Sequence, residues 1–206
     1  MHHLKSTALP ACAAKGVKPV PRLLLHRERL YRILDKTRKV SFTWVAAPPG
    51  AGKTSLVSGY VEAGNLDCIW YHLEQEDSDP VAFFSCLTEI ACKIYPEFAT
   101  TRPRFGMENF QDMALYAKRY FETLFHRMPS GAVLVLDNYQ EVLPESEFHH
   151  LMKSCLKVIP QDIRIMILSR DVPPAPLAAA RAGGDLEIVD WRLIRFTRNE
   201  TEEFLK

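Results

Sequence analysis

Gly50 and Gly52 flank Ala51 and run directly into Lys53, Thr54 and Ser55. Residues of these types at this spacing can hold a phosphate group. Glycines let backbone N–H groups turn inward around anionic oxygens, where a side chain would collide with the ligand. Lys53 supplies a cation for the β- and γ-phosphates, and the Thr54 hydroxyl can ligate magnesium. The stretch Ala47-Pro48-Pro49-Gly50-Ala51-Gly52-Lys53-Thr54 meets the pattern GxxxxGK[ST] with one change, Ala47 standing where the first glycine would be. Pro49, Gly50, Ala51, Gly52, Lys53, Thr54 and Ser55 are therefore the candidate nucleotide-binding residues. The competing reading is a glycine-rich turn with a solvated lysine. Context decides against it, because an apolar run precedes the loop and a helical pattern follows.

Phosphate chemistry of this kind needs a carboxylate to hold the metal. Val133-Leu134-Val135-Leu136-Asp137 offers one, since four apolar residues predict a buried strand with Asp137 at its carboxyl end. Ligands bind at that edge in open α/β sheets. Thr54 and Asp137 are thus the candidate magnesium ligands. One strand later, Ile163 to Leu168 is followed by Ser169-Arg170. Arg170 can touch a γ-phosphate there, the alternative being a surface salt bridge.

Positioning these groups requires alternating strands and helices, and the hydrophobic periodicity predicts them. Helices are expected over 27–36, 53–63 and 108–128. Another is capped by the acidic run ending at Pro80 and carries Phe83, Phe84, Leu87, Ile90 and Ile94, and one more has Phe148, Leu151, Met152, Cys155 and Ile159 inward. Strands are expected over 40–46, 67–72, 132–137, 163–168 and 186–190, and Thr197 with Glu200 opens a last helix. The stripe Phe110, Met113, Ala117, Phe121, Leu124 and Met128 reads as core packing rather than a cofactor site. Together these elements predict a three-layer α/β domain with a parallel sheet over residues 22–206, preceded by a flexible lead-in over residues 1–21.

Composition narrows the class. The chain has 206 residues, 47% of them hydrophobic, which suits one domain with a sizeable core. Its net charge of +1 gives no global nucleic-acid footprint. No stretch reaches the roughly 18 apolar residues of a membrane span. Leu9-Pro10-Ala11-Cys12 superficially resembles a lipoprotein cleavage site, but the apolar run before it is too short. The five cysteines include no close CxxC pair, so reduced, mostly buried thiols of a cytoplasmic protein are expected.

Taken in order, five segments resemble the MalT-like branch of the STAND class of signalling ATPases, found in large bacterial transcriptional activators that often carry a LuxR-type DNA-binding end. They are Leu25-His26-Arg27-Glu28-Arg29-Leu30, Ala46 to Thr54, Trp70-Tyr71-His72-Leu73 with Asp77-Ser78-Asp79-Pro80, Val135-Leu136-Asp137-Asn138-Tyr139, and Leu168-Ser169-Arg170 with Phe196-Thr197 and Glu200. The resemblance implies ATP or ADP with magnesium as ligand and a sheet of order 5-1-4-3-2. It also implies an ADP-held resting state that switches to an ATP-bound, self-associating one. Arg27 would lie against the adenine or phosphates, Asp137 would be the Walker B acid, and Arg170 would sense the γ-phosphate. Lid, sensor and DNA-binding segments would follow beyond Lys206, so this chain is expected to bind nucleotide but not duplex DNA.

Two departures bear on chemistry. His26 replaces the glycine common before Arg-Glu in the class. Asn138 follows Asp137 where the branch usually has a second aspartate, and an amide cannot take a proton as a carboxylate can. Lys53, Asp137, Asn138 and Arg170 are the candidate catalytic set, and slow or negligible hydrolysis is expected. A non-hydrolysing, nucleotide-dependent assembly scaffold is the rival account. A P-loop small-molecule kinase is a weaker one, since Asp171-Val172-Pro173-Pro174-Ala175-Pro176 stands where an arginine-rich lid would be sought.

Overall fold

A computed structural model describes residues 11–20, 26–106 and 112–204. Five strands form one parallel sheet: β1 (Phe42–Ala46), β2 (Cys68–His72), β3 (Val133–Asp137), β4 (Arg164–Ser169) and β5 (Leu186–Val189). Their spatial order is β2-β3-β4-β1-β5, which is the expected 5-1-4-3-2 order read from the other edge. β1, β3 and β4 are buried along their whole length, as continuous apolar runs in a doubly covered parallel sheet should be.

Side-chain alternation divides the core between the two faces. Leu134 and Leu136 point to one cluster with Phe42, Trp44, Ile165 and Ile167, and Val133 and Val135 to another with Val45, Met166 and Leu168. The first face is covered by α4 (Pro80–Ile94), α5 (Phe98–Thr101), α6 (Met113–Phe125), α7 (Phe148–Cys155) and α8 (Ala175–Ala182). The second is covered by α2 (Glu28–Lys36) and α3 (Lys53–Ala63), with Ile194 of α9 (Trp191–Ile194) packed beside them. The expected three layers result. Met113, Ala117, Phe121, Leu124 and Met128 all pack into the first core; Phe110 lies outside the described residues.

Several boundaries differ from expectation, each for a local reason. The helix expected over 108–128 is described from Met113, where the Asp112 carboxylate caps it by accepting from the Leu115 N–H. Residues 108–111 of that span lie outside the described set. β5 ends at Val189 because Asp190 turns to cap α9. Helix α8 grows out of the proline-rich loop after Arg170. Proline fits a helix's first turn, where its missing N–H is no loss.

The amino-terminal segment needs correction. Residues 1–10 and 21–25 lie outside the described set, but Ala11–Lys15 forms a helix, α1, against α4 and β2. Cys12 is disulfide-bonded to Cys86 of α4, their Cα atoms 4.9 Å apart. The expectation of reduced thiols therefore fails for this pair, while Cys68, Cys92 and Cys155 are free. Lys15 is buried and donates to Asp77, which is fully buried, at 2.8 Å. A crosslink and a buried ion pair hold this part of the expected flexible lead-in to the domain. No helix among the described residues is long and apolar enough to cross a membrane.

Candidate nucleotide site

β1 delivers the chain to the phosphate loop at the carboxyl edge of the sheet. The Ala47 N–H donates to Ser169 O at 3.2 Å, which fixes the loop's first residue to the tip of β4. Gly50 and Gly52 then adopt positive φ, +75° and +78°, and an added Cβ at either would meet nothing within 4 Å. Open space inside two left-handed glycines is the shape of a cradle for an anion. Pro48, Pro49, Gly50, Gly52 and Ser55 are exposed, and Ala51, Lys53 and Thr54 half-buried. α3 begins at Lys53, so its unpaired amides and positive dipole end face the same cradle.

Lys53 Nζ folds back on its own loop, donating to Ala47 O at 2.7 Å and Pro48 O at 3.2 Å. Burial lowers its pKa; the Asp137 charge opposes that shift and the Arg170 charge adds to it. These three groups thus share one electrostatic neighbourhood. Thr54 Oγ1 donates to the Asp137 carboxylate at 3.1 and 3.3 Å, so the two expected magnesium ligands meet. Asp137 is buried at the end of β3 and also accepts from the Asn138 N–H at 2.9 Å. A hydroxyl and a carboxylate side by side beside a glycine cradle fit a hard, oxygen-seeking cation that retains waters.

Asn138 sits in the left-handed region, φ 63° and ψ 41°, which asparagine tolerates better than most residues. Its Nδ2 lies 2.9 Å from His72 Nε2 at the end of β2. In the β2–β3 register, His72 pairs with Asp137, and its Nδ1 lies 3.9 Å from Asp137 Oδ2. The Asp137 carboxylate raises the His72 pKa, against the effect of burial. Arg170 is exposed; its N–H donates to Gln140 Oε1, and it forms no ion pair among the described residues.

Arg27 is placed differently from the rest. Its guanidinium donates to Ile194 O, to Arg195 O at 3.1 Å and to Glu200 Oε2 at 3.0 Å, and lies over the Phe196 ring at 4.3 Å. Arg29 reaches the same Glu200 oxygen at 3.2 Å. A nucleotide contact by Arg27 requires these bonds to be exchanged. The structure thus gathers Lys53, Thr54, Asp137, Asn138 and Arg170, and ties Arg27 to the carboxyl-terminal segment. His72 and Gln140 join the site without having been named as candidates. His72 lies in a segment that carries the resemblance but had no role assigned, and only strand register and loop geometry bring the two in.

A parallel β2-β3-β4-β1-β5 sheet, a glycine cradle after β1 and a carboxylate ending β3 define the P-loop NTPase class. The profile of the Nephrocystin 3 N-terminal family matches residues 22–170, and the chain belongs to that family. It is also similar to the HTH-type transcriptional regulator MalT of Serratia proteamaculans (strain 568), at 28% identity over 184 residues. That alignment covers 86% of this chain and bears out the resemblance drawn from the motifs. The chain spans about a fifth (20%) of that relative's length. Among solved structures, a Walker-type ATPase of Pyrococcus abyssi superposes with a TM-score of 0.54 at 11% identity, covering 89% of this chain and 57% of the other. The Aeropyrum pernix Orc1 protein, solved in complex with DNA, gives a TM-score of 0.52 at 16% identity, covering 90% and 49%. Both share the fold.

Proposed function

We propose that this chain is the nucleotide-binding switch core of a bacterial, cytoplasmic transcriptional regulator, holding ATP or ADP with magnesium. The meeting of Thr54 with Asp137 beside Lys53 carries the reading. Lys53 and the amides of Pro49 to Ser55 would hold the phosphates, Thr54 and Asp137 the magnesium, and Arg170 would report the γ-phosphate. When bound, magnesium supplies neutralisation of phosphate charge. In the whole protein, ATP-dependent self-association would follow, and DNA binding would reside outside this chain.

Titration of the purified chain with a fluorescent ADP derivative, with and without magnesium, tests the reading. Saturable binding strengthened by magnesium is the expected result, and no binding by the intact fold would refute it.

Asn138 favours a second reading, a nucleotide-dependent scaffold that does not hydrolyse. Its amide lacks the proton affinity of a general base. Phosphate release separates the two: slow release marks a switch that resets, and no release marks a scaffold. Turnover above about 1 s⁻¹, the low end of typical enzymes, would contradict both.

A further inference from the structure

His72 is the polar side chain at the site that the motifs leave without a role. Parallel pairing of β2 with β3 puts it in register with Asp137, and its side chain remains 44% exposed. The hydrogen bond at 2.9 Å joins Asn138 Nδ2 to His72 Nε2. In the neutral imidazole that carries its proton on Nδ1, on the side of the Asp137 carboxylate, Nε2 accepts from the amide nitrogen, which only donates. A single bond therefore decides which end of the Asn138 amide is engaged. Its oxygen, an acceptor, has no hydrogen-bond partner among the described residues. Its backbone is fixed in turn, by the left-handed conformation and by the N–H bond to Asp137.

We propose that His72 is a positioning residue for recognition of the γ-phosphate: it holds the Asn138 amide with its oxygen as the free end beside the magnesium carboxylate. There the oxygen accepts a hydrogen bond from water ordered on the terminal phosphate. A diphosphate lacks that last group, so the pair distinguishes ATP from ADP. This inference rests on the nucleotide-site reading above. Asn138 then works as an orienting acceptor, a role open to an amide that cannot serve as a base. His72→Leu removes the acceptor at similar bulk, whereas His72→Gln keeps one at similar reach.

The test is calorimetric titration of the whole chain, wild type and both variants, with magnesium ADP and with a non-hydrolysable magnesium ATP analogue. His72→Leu should weaken the triphosphate analogue about fivefold more than it weakens ADP, the equivalent of one ordinary hydrogen bond. His72→Gln should restore the wild-type ratio. Retained ADP binding shows that the variants are folded. Equal weakening of both nucleotides, an unchanged ratio in His72→Leu, or failure of His72→Gln to restore it would overturn the proposal alone. A folded wild-type chain that binds neither nucleotide would instead overturn the nucleotide-site reading, and this proposal with it.

Discussion

The hydroxyl of Thr54 lies 3.1 Å from Oδ2 of Asp137, although the two residues are 83 positions apart. Strand order brings them together. β4 lies between β1 and β3, so the turn leaving β1 and the tip of β3 flank the same strand end. Asp137→Asn keeps the side chain's size and removes its charge. The expected outcome is folded protein whose affinity for ADP no longer rises with magnesium, a loss of about tenfold or more for one charged ligand. Parallel titrations in magnesium and in chelator measure it.

Lys53 contributes charge rather than scaffold, since its bonds to Ala47 O and Pro48 O close a loop that glycine conformations already shape. Charge-assisted bonds are worth about 1.5–3 kcal/mol each. Lys53→Ala should therefore weaken nucleotide binding by roughly ten- to a hundred-fold, with little change in melting temperature. An unchanged affinity would show that the loop does not engage phosphate.

Where the sequence was informative, it was so for local reasons. Val133 to Asp137 is legible because an apolar run ending in a carboxylate, common by itself, gains meaning beside a phosphate loop, and the phosphate loop because glycine spacing sets its geometry. Sheet order came from resemblance; periodicity alone carries no information on which strands are neighbours. α1 escaped because five residues show no helical period, and its position depends on Cys86 and Asp77, which lie far along the chain. His72 escaped for a similar reason. A lone histidine ending a strand has no pattern, and only its register with Asp137 gives it a place in the site.

The strap formed by α1 should be a measurable part of stability. Burial disfavours the Lys15 ammonium, but its bonds to Asp77 and Glu74 win and raise its pKa. Asp77 is fully buried and also accepts from Tyr71 Oη and the Glu74 N–H. Lys15→Met leaves that carboxylate without its cation, at an expected cost of about 3–5 kcal/mol. Glu74 is exposed, and its own bond to Lys15 adds little. Cutting the Cys12–Cys86 crosslink, which spans 74 positions, should cost about 2–4 kcal/mol. Urea unfolding of Lys15→Met, and of wild type with and without reductant, gives both values.

Glu200 fastens the carboxyl-terminal helix α10 (Arg198–Phe204) to the start of α2, and this fastening should be pH-sensitive at its acid end. Burial alone would raise the Glu200 pKa. Hydrogen bonds from Arg27, the Thr197 N–H and Arg29 outweigh it and hold the group down at about 2. A carboxylate whose folded pKa lies below its unfolded value stabilises the fold above the unfolded value, and that stabilisation disappears as pH falls through the folded one. The window here runs from the ordinary glutamate value of about 4.3 down toward 2. Wild type should therefore melt at a higher temperature than Glu200→Gln at neutral pH, with the gap closing across that window. Thermal melts of the two chains over a pH series measure it. A gap that stays constant down to the acid limit would mean that the ionised carboxylate does not fasten Arg27.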